Sequence, residues 1–207
     1  MKKGIIFDVD GTIWDSRAVA AKAWNKAIKE HSSVDIHVTA EQLGSLFGKP
    51  MFEISNILFP ALTEEKRNEL SVYCYEYENE LLKTEPGTLY PQVKETLEAL
   101  SHKYPLYIVS NCQCGYIEIC MKGTGIEKYI TDYISYGDTE LPKGENIKFL
   151  MERNHLTEAI YVGDTQGDAD ACAVANVKIV YAAYGFGRIL NAYAQINEFA
   201  DLKDLFL

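Results

Sequence analysis

Several features that would tie a chain to a membrane, a nucleic acid or a disulfide framework are scarce in these 207 residues. Cysteine is scarce and odd in number: Cys74, Cys112, Cys114, Cys120 and Cys172. None of their spacings is that of a zinc site, and Cys112-Gln113-Cys114 lacks the two-residue gap of a redox or metal pair. Reduced thiols in a reducing compartment are the reading. No apolar run approaches the length needed to span a bilayer. The N-terminal Met1-Lys2-Lys3-Gly4-Ile5-Ile6-Phe7 reaches Asp8 too soon for a signal peptide, so a cytoplasmic protein is expected. Positive charge is the minority sign, with 20 Lys and Arg against 30 Asp and Glu, a net of −10. Such a surface repels nucleic acid and anionic membranes, which excludes both as expected partners. There is no internal repeat and no low-complexity stretch. Hydrophobic residues make up 47%, enough for a packed core.

Four short runs read as buried strands: Gly4–Phe7, Leu106–Val109, Ala159–Val162 and Ile179–Ala182. Helical patterns separate the later ones. Pro91–Lys103 carries Val93, Leu97 and Leu100 at helical spacing, with Pro91 placed for a first turn. Lys143–Arg153 carries Ile147, Leu150 and Met151, and Gly167–Ala175 is rich in Ala. Strands alternating with helices imply an α/β fold, a parallel sheet covered on both faces. Between Trp14 and Pro86 no strand is expected. Residues 18–31 place Ala20, Ala23, Trp24, Ala27 and Ile28 on one face. Thr39 opens a helix as part of a capping box, and Thr63 caps a long one. The expected organisation is a core of residues 1–14 and 87–207, with an all-helical module of residues 15–86 inserted after the first strand.

In open parallel sheets, ligands bind beyond the carboxyl ends of the strands. Those ends carry Asp8-Val9-Asp10, Ser110-Asn111 and Gly163-Asp164, with Asp168 four residues further on. Lys143 heads the helical stretch before the third of these strands. Close carboxylates repel unless a cation compensates, and Mg²⁺ is hard and prefers oxygen. Asp8, Asp10 and Asp164 can hold it. Gly11 lets the backbone turn sharply and brings its amide toward a phosphate oxygen. Thr12 and Ser110 offer hydroxyls, and Lys143 a point charge for phosphoryl oxygens. Each piece alone has a plainer reading as a turn, a helix cap or a solvated side chain. Together, in order, at successive strand ends, they point to phosphoryl transfer.

The runs Phe7-Asp8-Val9-Asp10-Gly11-Thr12, Val109-Ser110-Asn111, Lys143-Gly144 and Val162-Gly163-Asp164-Thr165 with Asp168 resemble the four motifs of the haloacid dehalogenase superfamily. The resemblance is to its phosphoglycolate-phosphatase-like branch and spans nearly the whole chain. It implies a three-layer α/β/α Rossmann-like core with a helical cap. It implies Asp8 as nucleophile and Asp10 as general acid and base. It implies Mg²⁺ held by the Asp8 and Asp164 side chains and the Asp10 main-chain carbonyl, with Asp168 beside the metal. Thr12, Ser110, Asn111 and Lys143 would bind the phosphoryl group of a small phosphorylated metabolite.

Within that resemblance, dehalogenases lack the second acid of the first motif, and Asp10 is present. Mutases of the β-phosphoglucomutase type carry a His in the first cap helix, where this chain has Ala20. A phosphonatase needs a Schiff-base Lys from the cap, a place open to Lys22 or Lys49. Gly48-Lys49-Pro50 reads as a tight turn between cap helices, with Lys49 a candidate for a substrate anion or simply an exposed loop residue. Arg188, in Gly185-Phe186-Gly187-Arg188, is a candidate lining residue, and Trp14 a hinge or a packed aromatic. A non-catalytic binding protein on the same fold is the reading from another class. It sits poorly with the retention of both Asp8 and Asp10. Phosphatase is the expected activity, its substrate and oligomeric state unspecified.

Overall fold

The computed structural model describes residues 2–207. In chain order the elements are β1 (Lys3–Phe7), β2 (Trp14–Asp15), α1 (Arg17–His31), α2 (Ala40–Leu46), α3 (Met51–Leu58), α4 (Glu64–Thr84) and β3 (Thr88–Leu89). Then follow α5 (Val93–Ser101), β4 (Leu106–Ser110), α6 (Tyr116–Thr124), β5 (Ile130–Ser135), α7 (Tyr136–Thr139) and α8 (Lys143–Arg153). The chain closes with β6 (Glu158–Gly163), α9 (Gln166–Ala175), β7 (Lys178–Ala182), β8 (Ala194–Ile196) and α10 (Leu202–Phe206).

Six strands form one parallel sheet in the order β5-β4-β1-β6-β7-β8. β1 lies between β4 and β6, in register from Ile5 against Leu106 on one side and Lys3 against Glu158 on the other. Gly4 to Phe7 are buried because helices cover both faces of this central strand. One face packs Phe7, Leu97, Ile108, Ile117 and Phe199, the other Ile6, Tyr107, Ile147, Leu150 and Tyr161. The sheet therefore delivers the ends of β1, β4 and β6 side by side, which is where the chain reverses its strand order.

Four short strands lie outside the expectation from sequence. β5 is made largely of half-buried residues at one edge, and β8 is a three-residue edge strand, so neither carries an apolar run. β2 pairs antiparallel with β3 in a two-stranded ribbon, although no strand is expected from Trp14 onward. That ribbon stands at the root of the helical insert, across the expected boundary between the two parts. Pro91 is not in the first turn of α5. The helix starts at Val93 after Gln92, which takes a left-handed conformation at φ 58°.

α1 to α4 form the insert around their own cluster of Ala20, Trp24, Ala27, Ile28, Leu43, Ile54, Phe59, Leu70 and Cys74. The Thr39 capping box and the Thr63 cap both form. All five cysteines are free thiols, and only Cys114 is exposed. No described helix is long and apolar enough to cross a membrane.

Candidate active site

β1 ends at Phe7, so Asp8 is the first residue beyond the sheet, and its amide still donates to the Val162 carbonyl of β6 at 2.9 Å. That bond continues the ladder and fixes the side chain over the strand ends. Lys143, the first residue of α8, reaches in and donates to Asp8 Oδ1 at 2.9 Å and to Asp168 Oδ1 at 2.6 Å. All three are buried. Burial disfavours the Lys143 charge, but Asp168 and Asp8 outweigh it and hold the ammonium above its ordinary range.

Asp164 sits at the end of β6. Its Oδ2 accepts the Phe186 amide at 2.6 Å and the Gly187 amide at 3.2 Å. Its Oδ1 is buried with no partner. Burial first, then Asp168 and Asp8, push its carboxyl up to about 8 despite those two amides. Burial likewise raises Asp8 to about 6, with Lys143 opposing and Asp168 adding. Carboxylate oxygens of Asp8, Asp164 and Asp168 lie within 4.8 Å of one another. Three buried acids stand against one Lys. An all-oxygen donor set with an orphaned oxygen fits a hard divalent cation.

Gly11 is required by shape as well as by conformation. Its φ is +81°, and a Cβ there would collide with the Asp164 carboxyl group. Its amide, expected to meet a phosphate oxygen, instead donates to the Trp14 carbonyl at 3.0 Å. Thr12 is buried and its Oγ1 has no partner. Ser110, the last residue of β4, is buried and lines the cavity. Asn111 gives its Nδ2 to the Gly48 carbonyl of the insert at 2.8 Å, so it joins the two parts of the chain. Asp168 also serves the helix that carries it, since its Oδ2 accepts from Thr165 in the capping box that opens α9.

Asp10 faces a different set of neighbours. Its Oδ1 accepts from Trp14 Nε1 at 3.0 Å, Ser16 Oγ at 2.6 Å and Tyr116 OH at 2.7 Å. Among the described residues Oδ2 has no hydrogen-bond partner. Desolvation raises this carboxyl to about 7; the Ser16, Tyr116 and Trp14 donors hold it down and Asp8 pushes it up. A carboxyl that titrates near neutrality suits an acid and base role. Trp14 is fully buried, edge-on to Tyr116 at 5.6 Å. It is a packed aromatic that also orients Asp10.

The insert covers these groups. Gly48 of the Gly48-Lys49-Pro50 turn packs over Thr165, where a Cβ would lie 3.1 Å from its side chain. Phe47 meets Phe186 at 6.1 Å, and Asn79 Nδ2 donates to the Cys114 carbonyl at 3.1 Å. The cavity between them is about 30 Å³ and partly open to solvent, bounded by Asp8, Asp10, Ser110 and Asn111 on one side and by Trp24, Lys49, Met51, Ile54 and Glu78 of the insert on the other. Lys49 is exposed at its edge. Arg188 is exposed and is not among the cavity's lining residues. Ser16, Tyr116, Trp24 and Glu78 join the site without any signal of that in the sequence, because they are ordinary residue types and carry no local motif.

Residues 5–182 match the family model described as haloacid dehalogenase-like hydrolase. The chain is 30% identical to the phosphoglycolate phosphatase of Vibrio vulnificus over 89% of its own length and 85% of that protein. It is 29% identical to that of Photobacterium profundum over 98% and 95%. Pyrophosphatase PpaX of Oceanobacillus iheyensis is 24% identical, with 97% and 94% covered. The crystal structure of a predicted phosphoglycolate phosphatase from Haemophilus somnus 129pt shares the fold, with TM-score 0.85, 23% identity and 100% and 98% of the two chains covered. The chain belongs to the haloacid dehalogenase-like hydrolases, and these relatives group it with the family's phosphatases.

Proposed function

We propose that this hydrolase is a Mg²⁺-dependent phosphatase of small phosphorylated metabolites, working through an aspartyl-phosphate on Asp8. The observation that carries the reading is the division of labour between the two acids beyond β1. Asp8 is paired with Lys143, and Asp10 is clamped through one oxygen by three donors and titrates near 7.

In the first step an Asp8 oxygen forms a bond to phosphorus as the bond to the leaving oxygen breaks. Asp10 delivers its proton to that oxygen. In the second, Asp10 removes a proton from water as the water attacks phosphorus and the bond to Asp8 breaks. Lys143 offsets the charge on Asp8 and on the incoming phosphoryl group. Ser110 offers its hydroxyl at the phosphoryl end, with Asn111 directly after it; the Thr12 hydroxyl is buried and does not line the cavity. Asp8, Asp164 and the Asp10 carbonyl would hold Mg²⁺ with Asp168 beside it. The ion would supply charge neutralisation between nucleophile and phosphate. The helical insert, residues 15–86, serves as a cap. A cavity of about 30 Å³ holds little more than a water, so substrate enters when the insert lifts.

The mutase alternative is weakened by Ala20, which is fully buried in the insert's own core and offers no group to the site. A binding-only role is disfavoured by the retention of both Asp8 and Asp10. The test is phosphate release from p-nitrophenyl phosphate with Mg²⁺ and with a chelator. Metal-dependent release is expected, and release indifferent to the chelator overturns the mechanism.

A further inference from the structure

β7 ends at Ala182, and the chain then runs on as Ala183-Tyr184-Gly185-Phe186-Gly187 past the ends of β1 and β6. This segment takes no part in the proposed chemistry, yet it packs closely against the groups that do. The Tyr184 hydroxyl donates to the Thr12 carbonyl at 2.8 Å, in the turn after β1. A Cβ on Gly185 would collide with the Gly11 carbonyl and the Asp164 side chain. The Phe186 and Gly187 amides donate to Asp164 Oδ2. They fix one carboxylate oxygen and leave Oδ1, buried and without a partner, for a cation.

The Phe186 ring meets the insert. It lies 6.1 Å from the ring of Phe47, at the C-terminal end of α2. The Arg17 guanidinium, at the head of α1, sits 4.2 Å from the Phe186 ring centroid, a cation–π contact. Arg17 is itself held by the Asp15 carboxylate, through Nε at 2.9 Å and Nη2 at 2.6 Å. Gly44 of α2 leaves room for the Arg17 stem, since a Cβ there would lie 2.7 Å from its Cδ. One residue thus has its amide on a site carboxylate and its ring against two residues of the insert.

We propose that Phe186 is a positioning residue that ties closure of the insert to the orientation of Asp164. The proposal rests on the phosphatase reading and concerns its Mg²⁺ site. With the insert down, Phe47 and Arg17 hold the ring, and the ring holds the amide on Asp164 Oδ2. When the insert lifts to admit substrate, those two contacts part and the grip on Asp164 loosens. Hydrogen bonds to a metal-ligating carboxylate orient it, and losing such a partner typically costs about 10- to 100-fold in metal affinity. Cation binding and insert closure therefore favour one another reciprocally.

The test is calorimetric titration of Mg²⁺ into the metal-free full-length protein, which needs no turnover. Phe186→Ala keeps both amides and removes the ring. It is expected to raise the Mg²⁺ Kd by about tenfold. Phe186→Tyr keeps the ring and is expected to stay within about twofold of the wild-type value. Phe47→Ala leaves Asp164 and its two amides untouched, and is expected to raise the Kd by about fivefold. It tests the link from the insert even if Phe186→Ala does not fold. Because the two rings act through one contact, the double variant should bind little more weakly than Phe186→Ala alone. An unchanged Kd in Phe186→Ala or in Phe47→Ala overturns the proposal, as do effects that simply add in the double variant. Equal weakening in Phe186→Tyr and Phe186→Ala also overturns it, because the loss would then not depend on the ring. In each case, Mg²⁺ binding by the wild-type protein leaves the phosphatase reading standing. A wild-type protein that binds no Mg²⁺ overturns both.

Discussion

Glu78 offers a measurement of stability that needs no substrate and no metal. Burial raises its carboxyl from the ordinary 4.5 to about 8, with Asp10 adding and the Trp24 and Gln113 hydrogen bonds opposing. The folded protein therefore binds a proton here that the unfolded chain has lost across that interval. Where the folded state binds more protons, stability falls as pH rises. The contribution is fully present below pH 4.5 and is lost as pH climbs through about 8. The gap corresponds to roughly 3–5 kcal/mol at most. Glu78→Gln carries no proton to lose. Its stability, measured by urea unfolding without metal, should match the wild-type value near pH 5 within about 1 kcal/mol. It should exceed that value by roughly 3 kcal/mol at about pH 8.5, or about 6–12 °C in Tm. Asp8, Asp10 and Asp164 are also raised, but they are common to both proteins, so the difference curve isolates Glu78. An offset between the two proteins that stays constant from about pH 5 to about pH 9 would refute the reasoning, because it would mean that Glu78 ionises freely in the folded state.

Asp8→Asn should lower turnover by about 10⁴-fold or more with unchanged far-UV circular dichroism, since only the proposed nucleophile is lost. Near-normal kcat would remove Asp8 from that role. Lys143→Met strips the cation from between Asp8 and Asp168 and should cost roughly 3–5 kcal/mol in the metal-free protein, read by urea unfolding. Loss of less than about 1 kcal/mol would mean that the buried pairs do not hold in solution. Tyr116→Phe removes one of three donors to Asp10 Oδ1, each favouring the charged carboxylate. The limb of the pH–kcat/KM profile assigned to Asp10 should move above 7 by about one unit, and an unmoved limb would contradict the clamp.

The acids of the site are legible in the sequence because they sit directly after apolar strands. Asp8 follows Gly4–Phe7 and Asp164 follows the run to Val162, and a parallel sheet brings such ends together whatever its details. Lys143 is legible by its place at the head of a patterned helix. The helices of the insert announce themselves through the Thr39 and Thr63 caps and the Ala-rich face of α1. Edge strands β5 and β8 do not, since half-exposed strands need no continuous apolar run.

The sequence by itself determined which candidate groups stand at the strand ends, because motif, strand end and turn are all local and a few adjacent residues specify them. Only the tertiary structure decided what surrounds those groups. Ser16 and Tyr116 meet on Asp10 from positions 100 residues apart, and Trp24 and Glu78 meet across 54. Such pairings depend on how α1, α4 and α6 pack, and hydrophobic spacing records only that each helix has a buried face. The raised carboxyls of Asp10 and Glu78 arise from desolvation, which belongs to the closed assembly of core and insert and to no segment of the chain alone.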